Sequence, residues 1–220
     1  MREKIRILVL TSNPWTGSRI VLDEEAREIF ERLQEGPYRD RFQLHNHAAI
    51  KPGDLQRLLL MYEPHIVHFS GHGKRVEQQN LAKVFALYNK HVRLVLLNAC
   101  FTKAQARSIS EVINYSIVTG TGTGDSVGVT FAGAFYRALG FGKSIRVAFE
   151  SAKAELALTR LPRSRGIKLF VRNGVSERDR FPRTAKPARR RDSLTRLYKA
   201  QLGGTVTRRL RHAARRRWGR

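Results

Sequence analysis

The chain alternates short apolar runs with longer stretches in which apolar residues recur every three or four positions. The runs "KIRILVL" (4–10), "FQLHNHA" (42–48), "HIVHFS" (65–70), "VRLVLLNA" (92–99), "YSIVTG" (115–120) and "IKLFVR" (167–172) predict strands. Of these, "FQLHNHA" is the weakest, and "VRLVLLNA" is continuously apolar, the mark of a central strand covered on both faces. Between the strands, Leu22, Ala26, Ile29, Phe30 and Leu33 share one helical face with acidic residues interspersed. "PGDLQRLLLMY" opens on a Pro-Gly break with Asp54 expected as N-cap of a second helix. "NLAKVFALYNK" and "KAQARSISEVI" predict further helices, and "FAGAFYRAL" and "SIRVAFESAKAELAL" two more around the turn "GFG". Strand and helix in regular alternation predict an α/β fold, a mostly parallel six-stranded sheet with helices on both faces.

From Ser176 the periodicity stops. "SERDRFPRTAKPARRRDS" has two prolines and reads as a linker over 176–192. Residues 193–220 form a basic tail in which Leu194, Leu197, Tyr198 and Leu202 fall on one face of a short amphipathic helix. The folded domain is therefore expected over 1–175.

A chain of 220 residues, 41% of them hydrophobic, has room for one domain with a real core and an appendage. No apolar run approaches the roughly 20 residues of a spanning helix, and a soluble cytoplasmic protein is expected. The net charge of +24 changes meaning once it is divided along the chain. Residues 1–179 hold 27 Lys and Arg against 17 Asp and Glu, whereas 180–220 hold 15 against 1. Most of the excess belongs to the tail, which could hold nucleic acid or an acidic partner, touch an anionic membrane, or stay solvated and disordered.

The one cysteine, Cys100, excludes an internal disulfide and leaves no thiolate pair for structural zinc. The stretch "HIVHFSGHG" (65–73) is dense in histidine, yet on a strand His65 and His68 point to opposite faces and no acid or thiol lies nearby to complete a metal site. His65 is expected at the sheet rim and His68 in a half-buried pleat, each a neutral imidazole with one satisfied nitrogen. His72 differs, because it stands between two glycines just after a central strand and is presented at the carboxyl edge, where open α/β sheets bind ligands. Cys100 follows the next strand and precedes a helix, whose amino terminus favours thiolate. Alone, such a cysteine reads as a small buried hydrophobe; with His72 it reads as nucleophile and base. The run "TGTGTGDS" (119–126) lacks the Gly-Lys-Ser/Thr end of a P-loop and does not match G-x-G-x-x-G, so nucleotide binding is a weak alternative.

"PHIVHFSGHG" followed by "VRLVLLNAC" resembles the His and Cys motifs of CHAT-domain proteins, bacterial relatives of caspases, gingipains and separase. The resemblance runs from Met1 to about Arg172 and includes "ILVLTSNPWTGSRIVLDEEAREI", "DLQRLLLMYEP" and "FAGAFYRALGFGKSIRVAF" in the family's order. It implies a caspase-like three-layer sandwich and a cysteine endopeptidase serving as a regulated signalling or defence effector, with no cofactor and no metal. His72 would be the general base, Cys100 the nucleophile, and the backbone N–H groups of Gly73 and Cys100 the oxyanion hole. The loop carrying Gly124 and Asp125 would line the cleft, with Asp125 as an anion for a basic P1 side chain or as the N-cap of the next helix. The chain departs from the family in one respect: only "KRVEQQ" separates Gly73 from "NLAKVF", where relatives carry a longer insert that walls the cleft. Besides a protein or peptide substrate, an activating partner in trans is expected. The competing reading is a non-catalytic adaptor that keeps the fold and binds nucleic acid or an acidic partner through 180–220.

Overall fold

The order of the strands across the sheet, β2-β1-β3-β4-β5-β6, reverses direction once, and that reversal decides which helices cover which face. The computed structural model describes residues 4–11, 19–51, 53–70, 78–98, 101–120, 125–159, 166–176 and 178–181, with the backbone alone for 19–23, 78–79 and 125. The elements are β1 (Ile5–Thr11), α1 (Arg19–Glu35), β2 (Phe42–His47), α2 (Asp54–Tyr62), β3 (Ile66–Ser70), α3 (Gln78–Leu87) and β4 (Leu94–Leu97), followed by α4 (Lys103–Val112), β5 (Tyr115–Val118), α5 (Asp125–Gly140), α6 (Ile145–Leu158) and β6 (Lys168–Val171). The first five strands pair in parallel, and β6 runs antiparallel to β5 with Tyr115 opposite Val171.

Parallel crossovers are right-handed, so a step from β1 to β2 and a return step to β3 must place their helices on opposite faces. The core follows this rule. Ile7, Val9, Ile66, Leu94, Leu96 and Ile117 pack with α1, α5 and α6. Leu8, Leu10, Val67, Val95, Leu97 and Val118 pack with α2, α3 and α4. The three layers follow from strand alternation, because residues i and i+2 share a face.

Helix starts show local chemistry winning over simple pattern. Thr102 caps α4 in a reciprocal box: its hydroxyl accepts from the Gln105 N–H at 3.2 Å, and its own N–H donates to Gln105 Oε1 at 2.8 Å. Ser144 caps α6 through the Val147 N–H at 3.3 Å. The expected cap of α2 is corrected: Gly53 holds the N-cap, and Asp54 is the first helical residue. Its carboxylate accepts from the Lys51 N–H at 2.9 Å and meets Arg57 at 3.2 Å, so it is taken up by the turn before the helix.

The chain divides into residues 1–186 and 187–220, and every described residue belongs to the first unit. The linker expected from 176 needs correction at its start. Tyr115 OH donates to the Ser176 carbonyl at 2.5 Å, and the Ile145 N–H donates to the Asp179 carbonyl at 3.0 Å. Phe181 is fully buried in the core shared with α5 and α6, under the Arg93 guanidinium at 4.2 Å from the ring centroid. Packing thus continues past 175, because one aromatic in an otherwise polar stretch finds a place in the core. The tail over 193–220 lies outside the described residues. Among the described residues, no helix is long and apolar enough to cross a membrane.

Candidate active site

Four neighbouring strands end on a polar residue or are followed at once by one. Thr11 pairs with Ser70, the Asn98 N–H donates to the Phe69 carbonyl at 2.8 Å, and the Thr119 N–H donates to the Leu97 carbonyl at 3.1 Å. Thr11, Ser70, Asn98 and Thr119 therefore form one level row across the carboxyl edge, and all of them are buried. Strand alternation turns the row toward α1 and α5. A buried polar group needs a hydrogen-bond partner to offset its lost hydration, and here the partner is one carboxylate.

Glu25 of α1 projects under the strand ends and is 2% exposed. Its Oε1 accepts from Asn98 Nδ2 at 2.5 Å and lies 3.0 Å from His68 Nε2. The Ser70 hydroxyl donates to Oε2. Asn98 Oδ1 accepts in turn from the Thr119 hydroxyl at 2.8 Å, and His68 Nδ1 lies 3.3 Å from Tyr136 OH on α5. One network joins α1, β3, β4, α5 and the end of β5. Burial alone would raise the Glu25 carboxyl, but the charge of His68 and hydrogen bonds from His68, Ser70 and Asn98 outweigh it and hold the group below its ordinary range. Burial, and then the Glu25 charge, push the Tyr136 hydroxyl well above its ordinary value.

The fold leaves room for this network at one point. A Cβ on Gly128 of α5 would stand 2.9 Å from Asn98 Cγ, so only glycine lets the helix close over the amide.

The expected histidine environments are corrected in part. His68 is not half-buried but fully enclosed, and both ring nitrogens have partners, because α1 and α5 cover that face. His65 precedes β3 and is 8% exposed, with Nδ1 accepting from the Arg6 N–H at 3.1 Å. Among the described residues, no group of three metal-ligating side chains is assembled.

His72, Gly73, Cys100 and Gly124 lie outside the described residues, and Asp125 is the first residue of α5 with its backbone alone described. What the structure describes are the residues that flank them in sequence. Ser70 precedes His72 by two residues, and Asn98 precedes Cys100 by two. Both flanking residues close adjacent parallel strands, as the alternation of strands and helices led one to expect for the His and Cys segments. Thr102, the cap of α4, follows Cys100 by two residues, so the cysteine falls between the end of a strand and the start of a helix.

Sequence reasoning missed Glu25, Ser70, Asn98, Thr119 and Tyr136. A signal for Glu25 was present: it sits three residues after Leu22 and four before Ile29, on the apolar stripe of its own helix, where an acid is out of place.

No family model matches the chain. A protein of Gillisia limnaea named "Probable protease" is 26% identical over 130 residues, covering 51% of this chain and 23% of that protein, so the chain matches less than a quarter of its relative's length. Among solved structures, pyridoxal kinase from Staphylococcus aureus bound to pyridoxal superposes with a TM-score of 0.37 at 14% identity, over 71% of this chain and 87% of that one. The same kinase bound to ADP gives 0.38 at 12% identity, over 77% and 99%. Superpositions that loose assign neither topology nor activity.

Proposed function

We propose that this chain is a cysteine endopeptidase of caspase-like fold, hydrolysing peptide bonds in a protein substrate through Cys100 and His72. The observation that carries the reading is the level pairing of Ser70 with Asn98 at the ends of adjacent parallel strands, each two residues before one member of the dyad. Parallel neighbours lie about 4.8 Å apart, so the strand-end residues that precede the two segments are adjacent. The amino terminus of α4, just beyond Cys100, adds a positive potential that favours thiolate. The relative named a protease supports the same class.

In this reading the Cys100 thiolate attacks the scissile carbonyl carbon, and the N–H groups of Gly73 and Cys100 hold the resulting oxyanion. The imidazolium of His72 gives its proton to the leaving amine as the C–N bond breaks. His72 then takes a proton from water, whose oxygen attacks the thioester and releases the acid and the thiol. Gly124 and Asp125 line the subsite for a basic P1 residue, and activation comes from a partner in trans. Labelling with an arginyl or lysyl acyloxymethyl ketone tests this. An adduct on Cys100 that is lost in His72→Ala is expected, and a Cys100→Ala protein cleaving a basic peptide panel as well as the parent would overturn it.

The concentration of charge in 180–220 favours a second reading, an adaptor that holds nucleic acid or an acidic partner through the tail. Removing those residues should then abolish salt-dependent retention on heparin or DNA. Unchanged retention would dismiss it.

A further inference from the structure

The network around Glu25 is buried, and it ties together Ser70 and Asn98, the residues two positions before His72 and Cys100. A buried carboxylate is an expensive way to pack a helix on a sheet, since an apolar side chain of similar volume would serve at least as well. What an apolar residue cannot do is fix the strand ends in direction. Glu25 meets Ser70 through one oxygen and Asn98 through the other, so a shift of β3 against β4 at the edge would stretch one hydrogen bond or the other. Asn98 extends the tie to Thr119 at the end of β5, and His68 extends it to Tyr136 on α5. Ordinary ladder hydrogen bonds set the register of the strands; the carboxylate adds a side-chain tie between their last residues.

We propose that Glu25 is a positioning residue for the dyad: its carboxylate braces Ser70 against Asn98, the residues two positions before His72 and Cys100. This rests on the peptidase reading and deepens it. Near-attack geometry is sensitive to displacements of about 1 Å, which cost on the order of a hundredfold in rate. A brace that acts only through geometry leaves a clear signature, because an isosteric amide can replace the carboxylate. The glutamine oxygen accepts from His68 and Asn98, and its NH₂ donates to the Ser70 oxygen.

Cys100 is the chain's one thiol, so its alkylation by iodoacetamide reports on the site without any substrate. The rate is measured against pH in the full-length parent and in His72→Ala, Glu25→Ala, Glu25→Gln, Ser70→Ala and Leu58→Ala, with folding of each verified by circular dichroism. Leu58 is fully buried in the opposite core, so its variant is destabilised without touching the brace. We expect the neutral-pH rate to fall about a hundredfold in Glu25→Ala and about tenfold in Ser70→Ala, and to stay within about threefold of the parent in Glu25→Gln and Leu58→Ala. Parent-like rates in Glu25→Ala and Ser70→Ala, beside a slowed His72→Ala, would overturn the brace and leave the dyad standing. An equal loss in Leu58→Ala would overturn it as well, by reducing the effect to general destabilisation. If His72→Ala alkylates like the parent, the dyad itself fails and the brace with it. Should Glu25→Ala not fold, Ser70→Ala decides alone.

Discussion

His68 Nε2 lies 3.0 Å from Glu25 Oε1 in the layer between α1 and the sheet, with both side chains out of water. A carboxylate so enclosed is held by its hydrogen-bond partners, and its removal leaves His68, Ser70 and Asn98 buried without it. Glu25→Ala should therefore destabilise the protein by about 3–5 kcal/mol. Urea unfolding followed by circular dichroism measures this, and a loss under about 1 kcal/mol, the range of an exposed pair, would contradict it.

The same carboxyl predicts a pH dependence. Its folded value is depressed below the ordinary 4.5, so the unfolded chain binds the proton more readily. The stability it contributes is fully present above pH 4.5 and is lost as pH falls through the folded value. The stability difference between the parent and Glu25→Gln should shrink in the parent's disfavour on acidification from neutrality to below pH 4.5. A difference independent of pH across that window would show that the carboxylate is not preferentially ionised in the fold.

Gly128 and Gly53 offer a paired test of packing. A methyl group at Gly128 would press on the Asn98 amide, whereas one at Gly53 meets nothing within 4 Å, and the Gly53 backbone is already right-handed helical. Gly128→Ala should cost about 1–3 kcal/mol, and Gly53→Ala should fall within about 0.5 kcal/mol of the parent. Thermal melting separates the two. Equal effects would mean that α5 does not close on Asn98 as described.

Phe181 makes the extent of the folded body testable. Its ring is fully buried beneath Arg93, and Phe181→Ala should cost about 3–5 kcal/mol. A chain ending at residue 175 should melt well below one ending at residue 186, which keeps the ring and the Asp179 contacts. Equal melting temperatures would return the boundary to 175.

The sequence by itself determined the elements. Apolar runs of β-branched residues and helical stripes such as Ala26, Ile29 and Leu33 placed six strands and the helices between them, because burying one face is a local requirement that recurs along the chain. It also led to the expectation of His72 and Cys100 after consecutive strands; β3 and β4 are neighbours, and the two residues themselves lie outside the described ones. What only tertiary structure decided are the relations that depend on which faces meet. The reversal of strand order between β1 and β3 sends α1 to the same face as α5, and this encloses His68, which strand periodicity alone left half-covered. Glu25 looked like one acid among several on its helix until the sheet supplied Ser70, His68 and Asn98 as partners. Phe181 looked like part of a linker until the core offered its ring a place. Hydrophobic pattern is written residue by residue, but a buried charge is stable only through partners far away in sequence, and no local reading contains them.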